Sequence, residues 1–382
     1  MTEFPPGWRL GVVQEVAPPG VADLGPGYPG PDLHPVGLVR YAYARALDEF
    51  GSAALAYGDN AGALPLREVL ARRARLADPG GVVVTAGTSQ ALHLLGTTLA
   101  APGQTVVTDR LGYDYGRAIL TSCGLRLAHV PADADGMDPG ALDDALAASD
   151  TAFVYLNPTF HNPTGQVVPE RRRRELLEVT VRRGVLVVED DAYAELGLTS
   201  AATPPALAEL DPDGVIRLGT FSKTIGPGLR LGWLTAAPAV ASRLLRHGLF
   251  HSGGSLNHLA SLAVAVMITS GEYDQHLDWL RGRLRSRRDA LLGALGDLDV
   301  TTPDGGFFLW LRFGAGQSED DLMAAAAAAG VRVAAGSRFG AARSPRIRLS
   351  YSLNRPAELA SAGRALRTAW ARSGALPERI SS

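Results

Sequence analysis

The sequence predicts an α/β protein in which helices sandwich the mostly parallel sheet of a large domain and a smaller α+β domain lies C-terminal to it. Short apolar runs, such as those at 82–85 and 185–188, alternate with amphipathic helical stretches, which is typical of a parallel sheet covered on both faces. The chain has 382 residues, of which 46% are hydrophobic, enough for a sizeable core. After about residue 240 the alternation ends, which predicts the second domain.

Three segments are expected along the chain. Residues 1–40 are punctuated by glycine and proline, which predicts an extended arm that packs on the small domain. Residues 41–255 form the large domain, and residues 256–382 supply a linking helix and the small C-terminal domain. The arm contains Gly25-Pro26-Gly27-Tyr28-Pro29-Gly30, which formally matches a dinucleotide-binding glycine pattern. Two prolines occupy the turn and no βαβ unit follows, so we expect either a backbone that approaches a ligand or a plain irregular arm.

The helices and strands of the large domain follow one another in a regular order. Helices are expected at 35–50, 66–75, 90–100, from 113 onward, at 138–148 and at 169–184. Strands are expected at 82–85, 105–108, 125–130, 152–156, 185–188, 215–218 and 231–236. Beyond them we expect a long helical region at 256–295 that links the domains, strands at 306–311 and 347–351, and helices at 318–330 and from 356.

Candidate binding residues follow the predicted strands of the large domain. Ligands of open α/β sheets bind beyond the carboxyl ends of the strands, and the segments at Thr88, Asn162, Asp190 and Lys223 all lie there. Thr88 and Ser89 begin a helix after a glycine, and free N–H groups together with the helix dipole favour an anion at such a position. Ordinary N-capping by serine and threonine is the competing interpretation.

Lys223 is the only lysine in the sequence, so the 37 basic residues comprise one lysine and 36 arginines. A buried lysine can lose its proton and attack a carbonyl group, whereas arginine stays protonated. A Schiff-base lysine is therefore one interpretation of this pattern. A solvated survivor of a strong arginine bias is the other, and composition alone does not separate the two.

Composition bounds the class of protein. The formal net charge is −2, which argues against a nucleic-acid or anionic-membrane partner, and no metal site is expected. Cys123 is the single cysteine, so no intrachain disulfide can form. The N-terminus lacks a signal pattern and no apolar stretch would span a bilayer, so a cytoplasmic protein is expected. The basic run Arg171-Arg172-Arg173-Arg174 is expected to be a solvated helix face rather than a phosphate site.

Several motifs, in order, resemble those of a known family. They are Asn162-Pro163-Thr164-Gly165, Asp190 followed by Tyr193, and Ser222-Lys223 followed by Pro227-Gly228-Leu229-Arg230-Leu231-Gly232. From about residue 20 to 370, the chain resembles the class I/II aminotransferases, which are fold-type I enzymes dependent on pyridoxal 5′-phosphate (PLP). The resemblance implies the PLP fold type I, with the cofactor bound by the large domain.

The resemblance assigns a role to each of five residues around the PLP ring. Lys223 would form the Schiff base and then shuttle a proton, and Asp190 would keep the pyridine nitrogen protonated. Tyr193 and Asn162 would hydrogen-bond the phenolic oxygen of the cofactor. Tyr113 would stack on the ring, although the residues before it depart from the usual family pattern. Lys223, Asp190 and Tyr193 are thus the expected catalytic residues.

The resemblance also implies a phosphate site and a homodimer. Phosphate contacts would come from Thr88, Ser89, Thr220, Ser222 and Arg230. Tyr57 matches a tyrosine that reaches the phosphate of the neighbouring subunit, so the active sites would be shared across a homodimer.

The expected substrates are an amino acid and a 2-oxo acid. Arg348 matches the arginine that clamps the substrate carboxylate, with Arg346 as the competing choice. Gly27, Tyr28 and Asn162 are expected beside the substrate, and Tyr113 and the segment 250–254 are expected to line its side-chain pocket. These residues are small, aromatic or weakly polar, which favours a neutral or aromatic substrate.

The expected function is transamination by a ping-pong mechanism. Other fold-type I reactions stay open, namely β-elimination, decarboxylation, cyclisation and oxidation, possible steps of a specialised metabolism. A regulator that uses the same fold to sense an effector is a third interpretation. Such proteins carry a DNA-binding helix-turn-helix domain ahead of the fold, and both the start of the motifs near residue 20 and the net charge of −2 disfavour it here.

Overall fold

The computed structural model describes residues 17–372, apart from residues 255, 297, 299, 315 and 342–344. The strands are β1 Ala22–Asp23, β2 Val82–Thr85, β3 Thr105–Asp109, β4 Arg126–Val130, β5 Ala132–Asp133, β6 Gly136–Met137, β7 Thr151–Leu156, β8 Leu186–Asp190, β9 Val215–Thr220, β10 Gly232–Thr235, β11 Phe308–Arg312, β12 Val331–Arg332, β13 Ala334–Ala335 and β14 Arg346–Ser350. The helices are α1 Val36–Phe50, α2 Leu64–Arg73, α3 Thr88–Thr98, α4 Asp114–Ser122, α5 Pro139–Ala148, α6 Glu170–Arg183, α7 Leu207–Leu210, α8 Pro238–Leu245, α9 Gly248–His251, α10 His258–Thr269, α11 Glu272–Leu295, α12 Glu319–Ala328 and α13 Pro356–Arg372.

A seven-stranded sheet is the centre of the large domain. Its strand order is β2-β10-β9-β8-β7-β3-β4, and β10 alone runs antiparallel to its neighbours. Successive residues of a strand point to opposite faces of its sheet. In β2, Val82 and Val84 accordingly join an apolar cluster with α1, α2 and α10, whereas Val83 joins another cluster with α3 and α8. Helices therefore cover both faces of the sheet, as predicted.

A smaller antiparallel sheet, β11-β14-β13, lies in the C-terminal part of the chain. It packs with α11, α12 and α13 around aromatic residues that include Phe307, Phe313 and Trp370. The N-terminal segment joins this part, because β1 pairs in parallel with β12. The boundaries proposed after residues 40 and 255 stay predictions.

The predicted helical region at 256–295 is divided into two helices. α10 ends at Thr269 and α11 begins at Glu272, and Gly271 between them has a φ of +79°, which a glycine adopts without strain. α10 packs on the core beside β2, while α11 packs on α13. Across the described residues, no helix combines the length and the apolar character that crossing a bilayer requires.

The basic run in α6 is only half solvated, so the expectation of a fully solvated face was wrong. Arg171 and Arg174 are exposed and pair with acidic neighbours one turn away. Arg172 and Arg173 are buried, because consecutive helical residues are about 100° apart and cannot all face water. The Arg173 guanidinium donates to the Thr159 hydroxyl at 2.9 Å and lies 3.5 Å from the Glu189 carboxylate, which is fully buried.

Arg173→Ala is expected to destabilise the protein by about 3 kcal/mol, because it removes the guanidinium that lies 3.5 Å from the buried Glu189 carboxylate and leaves that charge in the core. Arg174→Ala is the matched control, since Arg174 makes an exposed ion pair with Glu170 and its loss should cost less than about 1 kcal/mol. Urea unfolding of both variants measures the two free energies. Equal losses would show that the buried pair contributes no more than the exposed one.

Candidate active site

A cavity of about 810 Å³ opens at the carboxyl ends of the central strands. It is lined by thirteen of the fourteen residues to which a catalytic, cofactor-binding or substrate-binding role was assigned singly: Gly27, Tyr28, Thr88, Ser89, Tyr113, Asn162, Asp190, Tyr193, Thr220, Ser222, Lys223, Arg230 and Arg348. The exception is Tyr57, whose side chain is 87% exposed outside the cavity. A larger cavity of about 1020 Å³ lies on the other side of Asn157 and contains Arg346 instead of Arg348.

Lys223 lies at the end of β9 and points into the cavity. Its Nζ donates a hydrogen bond to the Gly27 carbonyl oxygen at 2.7 Å and lies 5.5 Å from the centre of the Tyr193 ring. Burial disfavours the charged form and lowers the pKa of the Lys223 ammonium to about 8 from its ordinary value of 10.5, although the nearby Asp190 carboxylate opposes the shift. The amine is therefore far more readily deprotonated near neutral pH than an ordinary lysine.

The lowered pKa of Lys223 predicts a pH dependence of stability. Between pH 8 and 10 the folded chain has released this proton while the unfolded chain keeps it, so stability must rise with pH. In the protein without bound small molecules, the free energy of unfolding of wild type relative to Lys223→Met should increase by about 2 to 3 kcal/mol over that range. Urea unfolding at several pH values measures it, and a constant difference would contradict the shift.

Asp190 ends β8 with one carboxylate oxygen engaged and one open. The Tyr155 hydroxyl donates to Oδ2 at 2.7 Å, whereas Oδ1 is buried and has no hydrogen-bond partner among the described residues. Burial raises the pKa of the Asp190 carboxyl to about 6. Asn157 braces the strand end, since its amide donates to the Asp190 carbonyl oxygen while its Oδ1 accepts from the Asn162 N–H. The open oxygen suits a cationic N–H donor.

Arg348 is held rigidly at the opposite wall. Its Nη1 donates to Asn162 Oδ1 at 2.7 Å and its Nη2 donates to the Gly25 carbonyl oxygen. The guanidinium carbon lies 4.1 Å from the ring centre of Phe308 and 4.4 Å from that of Phe339, so the two rings enclose the cation. Burial lowers the pKa of Arg348 to about 10, which still leaves the side chain charged at neutral pH.

A set of hydroxyl groups and one arginine gathers at the N-terminus of α3. Gly87 precedes the helix with a φ of +82°, and a side chain there would lie 3.0 Å from the Arg230 guanidinium, so the glycine lets Arg230 approach. Arg230 also donates to the Ala86 carbonyl oxygen at 3.0 Å. Thr220 and Ser222 hydrogen-bond each other through their hydroxyls at 3.0 Å. Helix N–H groups, hydroxyls and a guanidinium together suit a phosphate.

The remaining predicted residues divide into two groups. Tyr28 and Tyr113 line the cavity. The backbone at Gly27 passes close to Phe308, because a Cβ at Gly27 would lie 2.7 Å from the Phe308 ring. The segment 250–254 does not line this cavity, which corrects the expectation for it. Phe250 is buried in the core beside α3 and α8, and Gly253 lies against the Tyr57 ring.

Several side chains that shape the site were missed in the sequence. Tyr155 and Asn157 hold Asp190, and alternation from the buried strand β7 could have pointed to them. Phe339 packs on Arg348, and Asp114 and Arg338 form an ion pair at the cavity wall. The pair of Asp114 with Arg338 joins distant segments, and neither contact leaves a local signal in the sequence.

Comparison with known proteins gives two kinds of relative. The chain is 34% identical over 347 residues to the 2-aminoadipate transaminase of Thermus thermophilus, which covers 87% of this chain and 86% of that protein. It is 33% identical over 309 residues to YdfD, an uncharacterized HTH-type transcriptional regulator of Bacillus subtilis. That match covers 78% of this chain and 64% of the regulator. The chain therefore spans less than two thirds of the regulator's length.

Solved structures and a family profile agree on the fold. LysN, the α-aminoadipate aminotransferase from Thermus thermophilus, solved with N-(5′-phosphopyridoxyl)-L-leucine, matches with a TM-score of 0.84 at 32% identity over 93% of both chains. The profile described as aminotransferase class I and II matches residues 28–366. The predicted fold class is confirmed, and so is the resemblance. This chain belongs to the aminotransferase class I and II family.

Proposed function

We propose that the protein is a PLP-dependent aminotransferase that moves an amino group between an L-amino acid and a 2-oxo acid by a ping-pong mechanism. The observation that carries the proposal is the sole lysine of the chain, buried with a lowered pKa in one cavity with Asp190 and Arg348. A surface lysine left over from an arginine-rich composition would have no reason to lie there. Membership of the family supports the same conclusion.

The residues present fit PLP. The open, buried Oδ1 of Asp190 suits the protonated pyridine nitrogen, and the site at the N-terminus of α3 suits the phosphate. Tyr113 lines the same cavity, where burial and, after it, the nearby Asp190 carboxylate raise the pKa of its hydroxyl. When bound, PLP acts as an electron sink that stabilises the charge left after a bond to the substrate Cα breaks.

Each of the protein's own groups then has a defined task. Lys223 Nζ, with its lowered pKa, carries a proton to and from the reacting carbon. Asn162 Oδ1 is occupied by Arg348, so the amide Nδ2 of Asn162 is the atom free to donate towards the phenolic oxygen, together with the Tyr193 hydroxyl. Arg348 binds the α-carboxylate through its planar guanidinium, which can donate two parallel hydrogen bonds.

A homodimer is part of the proposal. Tyr57 is 87% exposed and Leu55 is 74% exposed, and other large apolar residues are exposed as well: Tyr41, Leu47, Leu249 and Leu256. Exposed apolar surface is typical of a subunit interface when it is contiguous. Tyr57 on this surface would reach the phosphate site of a second subunit, so the two active sites would be shared. The single cysteine favours a cytoplasmic location.

Two alternatives share the cavity. Other fold-type I reactions, namely those of β-lyases, decarboxylases, cyclising synthases and oxidases, would use the same lysine and acid. The likeness to HTH-type regulators gives a second candidate function. In such a regulator the cavity would bind PLP together with an amino acid, and the amino acid would act as the effector. Such a protein would bind both without sustained turnover.

The test is a panel of twenty amino acids, each paired with several 2-oxo acids, on PLP-loaded protein. Transamination predicts that each turnover converts one amino acid and one oxo acid and releases neither ammonia nor carbon dioxide. Ammonia or carbon dioxide in stoichiometric amounts would identify a lyase or a decarboxylase instead. Saturable amino-acid binding without any product would favour the regulator.

A further inference from the structure

Two ion pairs lie in the cavity wall beyond Arg348. The Arg338 guanidinium contacts the Asp114 carboxylate, and the Arg332 guanidinium contacts the Asp23 carboxylate. All four residues line the cavity that contains Lys223. Each pair connects separate parts of the chain, since 224 residues separate Asp114 from Arg338.

The pair between Asp114 and Arg338 lies on the aromatic side of the cavity. The Arg338 guanidinium carbon is 5.1 Å from the centre of the Tyr115 ring and 5.8 Å from that of Phe339. Asp114 is the first residue of α4, where the helix dipole favours a negative charge, and its side chain is 19% exposed against 45% for Arg338. The carboxylate is therefore the more buried member of the pair and the arginine the more exposed one.

The charges of the cavity can be assigned one by one. Under the proposed function Arg348 takes the α-carboxylate, Arg230 takes the phosphate, and Lys223 and Asp190 serve the cofactor. The other four charged side chains of the cavity wall form the two ion pairs, so the charges within each pair cancel. The rest of the wall near them is aromatic or apolar, with Tyr28, Tyr113, Tyr115, Met323 and Val333. The side chain of a substrate would thus meet a neutral wall.

We propose that Asp114 determines the class of substrate by neutralising Arg338, so that the enzyme prefers amino acids with neutral apolar or aromatic side chains over dicarboxylic ones. A second substrate carboxylate would have to share the Arg338 cation with Asp114, which already contacts the guanidinium Nε. The Asp114 carboxylate neutralises the cation and repels a second carboxylate beside it, which cancels the gain from the new contact. Without the Asp114 charge, Arg338 becomes a ready partner for the distal carboxylate. The inference rests on the proposed function, because it assumes that Arg348 holds the α-carboxylate.

The test compares glutarate with pentanoate, two substrate analogues of equal length, by calorimetric titration of PLP-loaded protein. Asp114→Asn should tighten glutarate relative to pentanoate by about tenfold, as expected for one partly exposed charge pair. Arg338→Gln should weaken glutarate relative to pentanoate, because Asp114 is then unpaired and repels the distal carboxylate. In the variant that combines Asp114→Asn with Arg338→Gln, the tighter binding of glutarate relative to pentanoate should disappear. Asp135→Asn, which breaks an exposed pair with Arg171 away from the cavity, is the control and should change nothing.

The same variants are then compared by kcat/KM for glutamate and for phenylalanine, where Asp114→Asn should raise the ratio of glutamate to phenylalanine by about tenfold. An unchanged ratio in both measurements, a gain that survives in the double variant, or a wild type that prefers dicarboxylates would each overturn the inference. If wild type turns over no amino acid, the proposed function fails, yet the analogue titrations still test the role of Asp114.

Discussion

Lys223→Ala should reduce transamination by at least about 10⁴-fold, because the variant lacks both the nucleophilic amine and the group that carries the proton. The amine nitrogen lies within the cavity, 2.7 Å from the Gly27 carbonyl oxygen, and no other described side chain there can replace it as a neutral base of comparable pKa. Rates of oxo-acid formation with the best substrate of the panel measure the loss. Turnover within tenfold of wild type would refute the assignment of Lys223.

The single lysine also makes the chemistry directly visible. Borohydride reduction of PLP-loaded wild type should fix the cofactor covalently on the peptide that contains Lys223, which mass spectrometry identifies. Lys223→Arg is the matched control, since arginine keeps the positive charge but cannot become a nucleophile at neutral pH. It should bind PLP only reversibly and take no label at residue 223. Label elsewhere than Lys223 or the N-terminal amine would contradict the site.

Arg348→Gln should raise the KM for amino-acid substrates by about 100-fold, since loss of a buried charge pair with the substrate carboxylate removes about 3 kcal/mol of binding. The fixed position of the guanidinium between Phe308 and Phe339 is what makes the contact strong, because little side-chain freedom remains to be lost on binding. Arg348→Lys should recover part of the loss, since it restores the charge without the two parallel donors. Steady-state kinetics of both variants provide the measurement.

Arg346→Gln is the matched control for this experiment. Arg346 lies two residues earlier on β14 and was the competing choice in the sequence, but its side chain lines the neighbouring cavity with Trp310 and Arg312. The KM of Arg346→Gln should stay within about twofold of wild type, as for substitutions away from a site. A larger increase for Arg346→Gln than for Arg348→Gln would reverse the assignment.

Local patterns were enough to predict the fold class and which segments meet at one edge of the sheet. Buried strands such as β2 are continuous apolar runs, and the residues after them collect at one edge because parallel strands end together. Lys223, Asp190 and Asn162 were found in this way, with the family motifs adding their identities. A composition with one lysine then drew attention to the residue that the cavity encloses.

Contacts between distant segments could not be predicted from the sequence. The burial of Arg172 and Arg173 depends on partners elsewhere in the chain, and Arg-rich helix starts are ordinarily solvated. The ion pair of Asp114 with Arg338 likewise produces no pattern in the local sequence, since each residue alone resembles an ordinary surface charge. Nothing local in the segment 250–254 indicates that Phe250 fills the core, since its neighbours in that core come from other parts of the chain.

The hydrogen bonds of Arg348 have a consequence for synthesis of the chain. One guanidinium contacts Gly25 near the start of the chain and Asn162 in its middle, and 323 residues separate Gly25 from Arg348. Contacts this distant form late, after most of the polypeptide has left the ribosome. A nascent chain that already carries Lys223 therefore lacks Arg348, the group proposed to hold the substrate carboxylate. Under the proposed function, incomplete products of translation would not sequester substrate, and the chain would bind it only once β14 is in place.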